Sequence, residues 1–302
     1  MCDSPNLRCS EQHWFMEEQT KEQSDQESSP CWHDRFMKQE KLEEEEEEED
    51  GLELQSLLSR EEQAHSAQLF CIYREHLQEG SALDRARREA IKWTHRVCRH
   101  YAFSCTTEIL SVDYYDRLLA NIRVAEMKPW MVQLVAVACL SLAAKVNEIH
   151  VPTLSALQVE GPSYKFEPKT VQRMELLVLS KLEWRMNSVT PFSFLNHIIG
   201  RLHFHTSSQM DQFLTLFELS LLALVSDSRF LHHRPSVIAA VVTCRSMEKM
   251  RYEDGQIGRY RNALCNSLKW SEAGGTFEEC YELVSELQFK SAHLNCHRTI
   301  EA

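Results

Sequence analysis

Glycine and proline are scarce, eight of each in 302 residues. With so few turn formers, and with apolar residues in long runs rather than short alternating ones, a β-sandwich or barrel is excluded and an all-α chain is expected. No C-x-x-C pair occurs among the eleven cysteines. Their odd number and scattered spacing point to a reduced, intracellular and metal-free chain. There is no Gly-rich phosphate loop, no H-E-x-x-H and no G-x-S-x-G, so the enzyme case starts without a nucleophile, a metal or a phosphate cradle. No uncharged apolar run approaches about 18 residues, which argues against a membrane span. The first residues, MCDSPNLRCSEQ, lack the apolar core of a secretory signal.

An excess of positive charge is missing too. The formal net charge is −12, and residues 1–50 account for all of it, with seventeen Asp or Glu against five Lys or Arg. A neutral body with an acidic arm carries no electrostatic footprint for nucleic acid or for anionic membranes. Neither partner is expected. The arm ends in seven glutamates, Glu43 to Glu49, and Asp50; such a run repels itself and buries too little to order, so residues 1–50 are expected to be disordered.

What is present is helical periodicity. Leu54, Leu57 and Leu58, then Leu69 and Phe70, suggest a helical extension over 51–82 that packs on the body from outside. The body divides at Asn187-Ser188-Val189-Thr190-Pro191, because Thr before Pro is a helix-start signal. The spacing predicts helices over 83–102, 106–122, 128–146, 153–159 and 168–184 in the part 83–187. A second set is predicted over 191–202, 209–226, 235–250, 256–268 and 276–288 in the part 188–302. Ala86, Ala90, Trp93, Val97 and Tyr101 mark one buried face of the first helix. Trp130 to Ala144 is apolar nearly all round, so that helix must be central.

His203 with His205, and His232 with His233, lack the i, i+4 geometry and the cysteine partners of a zinc site. Cys98, Cys105 and Cys139 lie in or near apolar helices, where a thiol is usually a small core residue. Spacing alone would leave Lys145 as a cation at a helix C-terminus and Glu175 as a solvated face residue.

Longer stretches alter that reading. Ala86-Arg87-Arg88-Glu89-Ala90-Ile91-Lys92-Trp93 and Tyr114-Tyr115-Asp116-Arg117-Leu118-Leu119, followed by Lys128 to Lys145 and Arg173 to Leu179, resemble the cyclin box of plant D-type cyclins of the D3-like group. The resemblance covers about 83–290. It implies two tandem five-helix cyclin boxes and a non-enzymatic regulatory subunit, without cofactor, that binds and activates a cyclin-dependent protein kinase. Five recurrent box positions fall on Arg87, Asp116, Leu134, Lys145 and Glu175. The family's logic makes Leu134, Lys145 and Glu175 kinase-binding, and Arg87 with Asp116 an ion pair inside the box. Leu7-Arg8-Cys9-Ser10-Glu11 spells L-x-C-x-E, by which D-type cyclins resemble ligands of retinoblastoma-type pocket proteins. Leu7, Cys9 and Glu11 would face one groove from an extended segment. A role in starting DNA synthesis and cell division, in the nucleus and also the cytoplasm, is implied with it.

The chain departs from the family pattern in two places. Ala86, Arg88 and Glu89 stand where many animal cyclins have an apolar substrate-docking patch, so no greasy groove is expected there although Trp93 remains. Val146 is followed by Asn147 and Glu148 rather than by two acidic residues, implying a looser grip on the kinase. Ser4-Pro5 and Ser29-Pro30 are minimal sites for proline-directed kinases. The rival classes are a DNA-gripping relative, which would need a basic stripe, and an all-α enzyme, which would need a convergent acid, base or nucleophile.

Overall fold

The computed structural model describes residues 51–64, 68–77, 80–122, 128–158, 164–202, 204, 206–252, 254–267 and 277–287, and every regular element among them is helical. The α-helices are α1 (51–64), α2 (Gln68–His76), α3 (Ala82–Tyr101), α4 (Cys105–Ala120), α5 (Pro129–Asn147), α6 (Pro168–Lys181), α7 (Leu195–Ile199), α8 (Ser207–Val225), α9 (Pro235–Lys249), α10 (Asp254–Ser267) and α11 (277–287). Leu7, Cys9, Glu11, the two Ser-Pro sites, His203 and His205 lie outside the described residues.

Local chemistry explains where the helices begin. Ser81, Ser104 and Thr206 each accept a hydrogen bond from a backbone amide in the first turn of α3, α4 and α8. Such a cap satisfies one of the four amides that a helix N-terminus leaves unpaired. Pro129, Pro168 and Pro235 open α5, α6 and α9, where a missing N–H costs nothing. Two expected helices are shorter than the periodicity suggested. The segment expected over 153–159 holds one 3₁₀ turn, Ala156–Gln158, started by the Thr153 hydroxyl on the Ala156 amide. The segment over 191–202 splits into a 3₁₀ turn, Pro191–Phe194, and α7, because the reciprocal Thr190–Ser193 capping box tightens its first turn.

Two apolar cores form, one for each half. In the first, Val135 to Leu140 of α5 are buried on every side, with α3, α4 and α6 packed around them. Residues 130–147 come closer to spanning length than the sequence reading allowed. They are apolar enough by length and composition to cross a membrane, yet 61% of the stretch is buried within the helical body. Cys98 and Cys139 are core residues there, and burial pushes both thiols up. The second core gathers α8, α9 and α11.

The helical extension packs on the body by one face, with most of its other residues exposed. Leu54 and Leu57 of α1 are buried in the second core. Glu61 is buried with them, and its carboxylate accepts from the Ser236 amide at 2.6 Å and the Ser236 hydroxyl at 2.8 Å. A carboxylate there meets the positive end of the α9 dipole. Burial nevertheless outweighs the Ser236 hydrogen bonds and holds its pKa above the usual carboxylate range.

The two halves are joined by a buried ion pair. Arg87 of α3, 1% exposed, grips Asp116 of α4 with two parallel hydrogen bonds of 2.8 and 2.9 Å. Tyr73 of α2 donates its hydroxyl to the same carboxylate at 2.8 Å. The guanidinium also reaches the Val225 carbonyl at 3.0 Å and the Ser226 carbonyl at 3.4 Å, at the end of α8 in the second half. A cation suits that negative helix end. Burial opposes the charge on Arg87, and the Asp116 carboxylate more than compensates, raising its pKa. Asp84 adds a second tie, accepting from the Ser228 hydroxyl at 3.0 Å.

Because each polar atom of this pair is committed, removing one partner strands the other away from water. Arg87→Ala is expected to lower stability by about 3 kcal/mol, read as a shift of the urea midpoint at neutral pH. An unchanged midpoint would mean that the pair contributes nothing to the fold.

Candidate functional site

Helix α6 buries Val171, Glu175, Val178 and Leu182 on one face, the spacing of an amphipathic stripe with a carboxylate inserted in it. Such a carboxylate needs a partner, and α5 supplies one from its last turn. Lys145 Nζ donates to Glu175 Oε1 at 2.6 Å. The side chains differ in exposure, 45% for Lys145 and 9% for Glu175. The sequence reading had them as separate anchors, and the structure brings them together. The ammonium keeps two further N–H donors, and Glu175 Oε2 has no hydrogen-bond partner among the described residues. The pair thus holds a half-exposed cation with spare donors against a mostly buried carboxylate.

The resemblance put Leu134 on the same surface. The structure corrects this, because Leu134 is 3% exposed and packs in the first core. Position 134 of the central helix faces inward, so its side chain supports the surface from beneath.

Apolar side chains that an ordinary surface would hide lie beside the ion pair in the chain. Val146 and Ile149 follow Lys145, Leu176 and Leu177 follow Glu175, and all are exposed, Ile149 to 93%. Trp184 is 68% exposed just past the end of α6. It is held there by two successive left-handed residues, Glu183 at φ 54° and Trp184 at φ 60°. For side chains of this size the conformation is strained. Hydrogen bonds from the Glu183 amide to the Ser180 carbonyl at 3.1 Å and from the Trp184 amide to the Leu179 carbonyl at 2.9 Å fasten the turn. The sequence reading missed these residues. The signal available was that Leu176 and Leu177 fall off the buried stripe of α6.

Asn147 and Glu148 turn inward, toward the start of α4. Glu148 accepts from the Ser104 amide and hydroxyl, each at 2.9 Å, and from the Thr107 hydroxyl. Asn147 donates to the same two hydroxyls at 2.7 and 2.8 Å. The loop after Lys145 is thereby tied to the head of α4. Burial pulls the Glu148 carboxyl up, and the Thr107 and Ser104 hydrogen bonds more than reverse this, leaving it below its ordinary range. On α3, Trp93 is buried and Ala86 half-buried. A cleft of about 610 Å³ between the halves, walled by Arg117, Leu182, Val189 and Leu224 among others, includes neither Lys145 nor Glu175. Among the described residues no three metal-ligating side chains converge.

The chain is similar to known proteins. The family model for the cyclin N-terminal domain matches residues 53–187, and that for the cyclin C-terminal domain matches 189–301. The fold is similar to that of a viral cyclin from herpesvirus saimiri, with a TM-score of 0.61 at 19% identity, over 78% of this chain and 97% of that one. The two halves are thus tandem cyclin boxes. Two relatives from Arabidopsis thaliana, Cyclin-D3-2 and Cyclin-D3-3, are 42% and 43% identical over 78% of this chain. The chain spans 62% of the length of each. Cyclin-D1-1 of the same plant is 35% identical over 71% of this chain. The chain belongs to the cyclin family, and within it to the plant D-type cyclins.

The depressed pKa of Glu148 carries a pH signature. Its contribution is present above the unfolded carboxylate value and lost as pH falls through the lower folded value. Glu148→Gln should therefore melt below the parent at neutral pH, by less than about 1 kcal/mol, and match it in acid once pH has fallen through the lowered folded value. A gap that persists or widens in acid would contradict this capping role.

Proposed function

We propose that the chain binds a cyclin-dependent protein kinase and activates it, contributing no catalytic residue of its own. The observation that carries the proposal is the Lys145–Glu175 pair, a half-exposed cation held by a buried carboxylate, with exposed Val146, Ile149, Leu176 and Trp184 near it in the chain, in a chain that is a cyclin. Exposed apolar side chains with a few hydrogen-bonding groups among them are the usual material of an affinity-determining interface. Activation then follows by population shift. The kinase conformer with its own Lys–Glu pair and activation loop assembled is the one that fits this surface. Moving such an equilibrium from 1:99 to 99:1 takes about 5.5 kcal/mol of differential binding.

The second part of the proposal is recruitment. Leu7, Cys9 and Glu11 offer two apolar anchors and one carboxylate to a retinoblastoma-type pocket protein. Tethering it beside the bound kinase would raise its local concentration as a substrate. This reading places the protein at the start of DNA synthesis and cell division, and in the nucleus.

Lys145→Ala and Glu175→Ala should each weaken binding of a purified cyclin-dependent kinase by about 2 kcal/mol, roughly 30-fold, with unchanged circular dichroism. Parent-like binding by both variants would show that the interface lies elsewhere. For recruitment, a peptide of residues 1–20 should bind a purified pocket domain, and its Cys9→Ala and Glu11→Ala forms should bind at least tenfold more weakly. Equal affinity for all three peptides would remove the motif from the account.

A further inference from the structure

Helix α3 carries six Lys or Arg against two carboxylates. One of the six, Arg87, is turned inward and consumed by Asp116. The other five, Arg85, Arg88, Lys92, Arg96 and Arg99, recur every three or four residues, which on an α-helix sets them in one stripe. Fourteen residues separate the first from the last, about 21 Å along the axis. None is buried.

This stripe runs against two local preferences. Like charges at i, i+4, as in Arg88, Lys92 and Arg96, repel one another. Arg85 and Arg88 sit in the first two turns, where the helix dipole disfavours cations. Compensation is partial. Asp84 answers Arg88 at 3.0 Å, Glu89 answers Lys92 at 2.8 Å, and Arg85 donates to the Gly80 carbonyl at 2.9 Å. Arg96 and Arg99, both exposed, have no side-chain partner among the described residues. Local rules broken together on one exposed face mark a functional site rather than a fold requirement.

We propose that this face of α3 docks an acidic segment of a partner protein, bound extended with Asp or Glu at alternate positions. In an extended peptide alternate side chains share a face and repeat about every 6.6 Å. Arg88, Lys92 and Arg96 repeat about every 6 Å, so successive carboxylates meet successive cations, and the whole stripe accommodates about six residues. Arginine favours such an occupant because its planar fork takes a carboxylate through two N–H groups. A nucleic acid fits less well, since residues 51–302 carry no net charge and a longer polyanion gains most from a net positive surface. The inference rests on α3 alone and does not depend on the kinase reading.

The test is fluorescence anisotropy with the full chain and a fluorescein-labelled octapeptide of alternating Glu and Ala. Its Gln counterpart and a single-stranded oligonucleotide of equal charge run alongside. The Glu peptide should bind, more weakly as salt rises, and the Gln peptide at least tenfold less tightly. Arg96→Glu with Arg99→Glu should lose at least tenfold with unchanged circular dichroism. The milder Arg96→Ala with Arg99→Ala should lose at least threefold. Arg251→Glu with Arg259→Glu, an equal change of charge at exposed positions of the second half, should stay within twofold of the parent. The proposal is overturned if the parent does not bind the Glu peptide, if the α3 variants bind it like the parent, or if the oligonucleotide binds more tightly than the peptide.

Discussion

Taking a guanidinium out of water is tolerable only when its N–H groups find acceptors, and Arg87 directs four of its five to two separate parts of the chain. Two donors go to Asp116 of α4, and the remaining reach passes to the last carbonyls of α8 in the other half. Asp116 in turn takes the Tyr73 hydroxyl from α2. None of these groups can be moved alone. The relative placement of the two boxes and of the helix that precedes them is therefore a hydrogen-bonding requirement, with apolar packing filling the space around it.

The surface assigned to a kinase depends on that arrangement without containing it. Helix α5 runs through the first core, and its C-terminal turn delivers Lys145 to Glu175. The Asn147–Glu148 loop then fastens the same end to the head of α4. Lys145 is thus fixed from both sides, although the pair it makes is half open to solvent. Rigidity beneath and exposure above suit an interface, because little conformational freedom remains to be lost on binding. Helix α1 does for the second box what Arg87 does for the first, with Glu61 closing the N-terminus of α9 from below.

Helix boundaries were legible because they depend on local chemistry. The helices predicted from 128, 168 and 235 do begin there, at Pro129, Pro168 and Pro235. Periodicity misjudged 153–159, where the Thr153 cap starts only one turn, and it did not show that the buried face of α1, Leu54 and Leu57, packs on the second core rather than the first. The resemblance implied an ion pair between Arg87 and Asp116, while its bidentate form and its extension to Val225 and Ser226, 138 and 139 residues away in sequence, depend on packing that no local pattern encodes. Leu134 was misplaced because a helix that is apolar all round gives no cue to which side faces a partner. Glu175 could have been singled out by its position on the stripe of Val171, Val178 and Leu182. Trp184 could not, since its exposure follows from two left-handed residues in a turn without glycine.

The claim that one buried guanidinium joins α2, α4 and α8 can be tested by hydrogen exchange on Arg87→Lys, which keeps the charge and loses the fork. The account predicts faster amide exchange in three places at once: α2, the facing turns of α3 and α4, and the last turn of α8 in the second box. Exchange that rises only in α3 and α4, with α2 and α8 protected as in the parent, would contradict it.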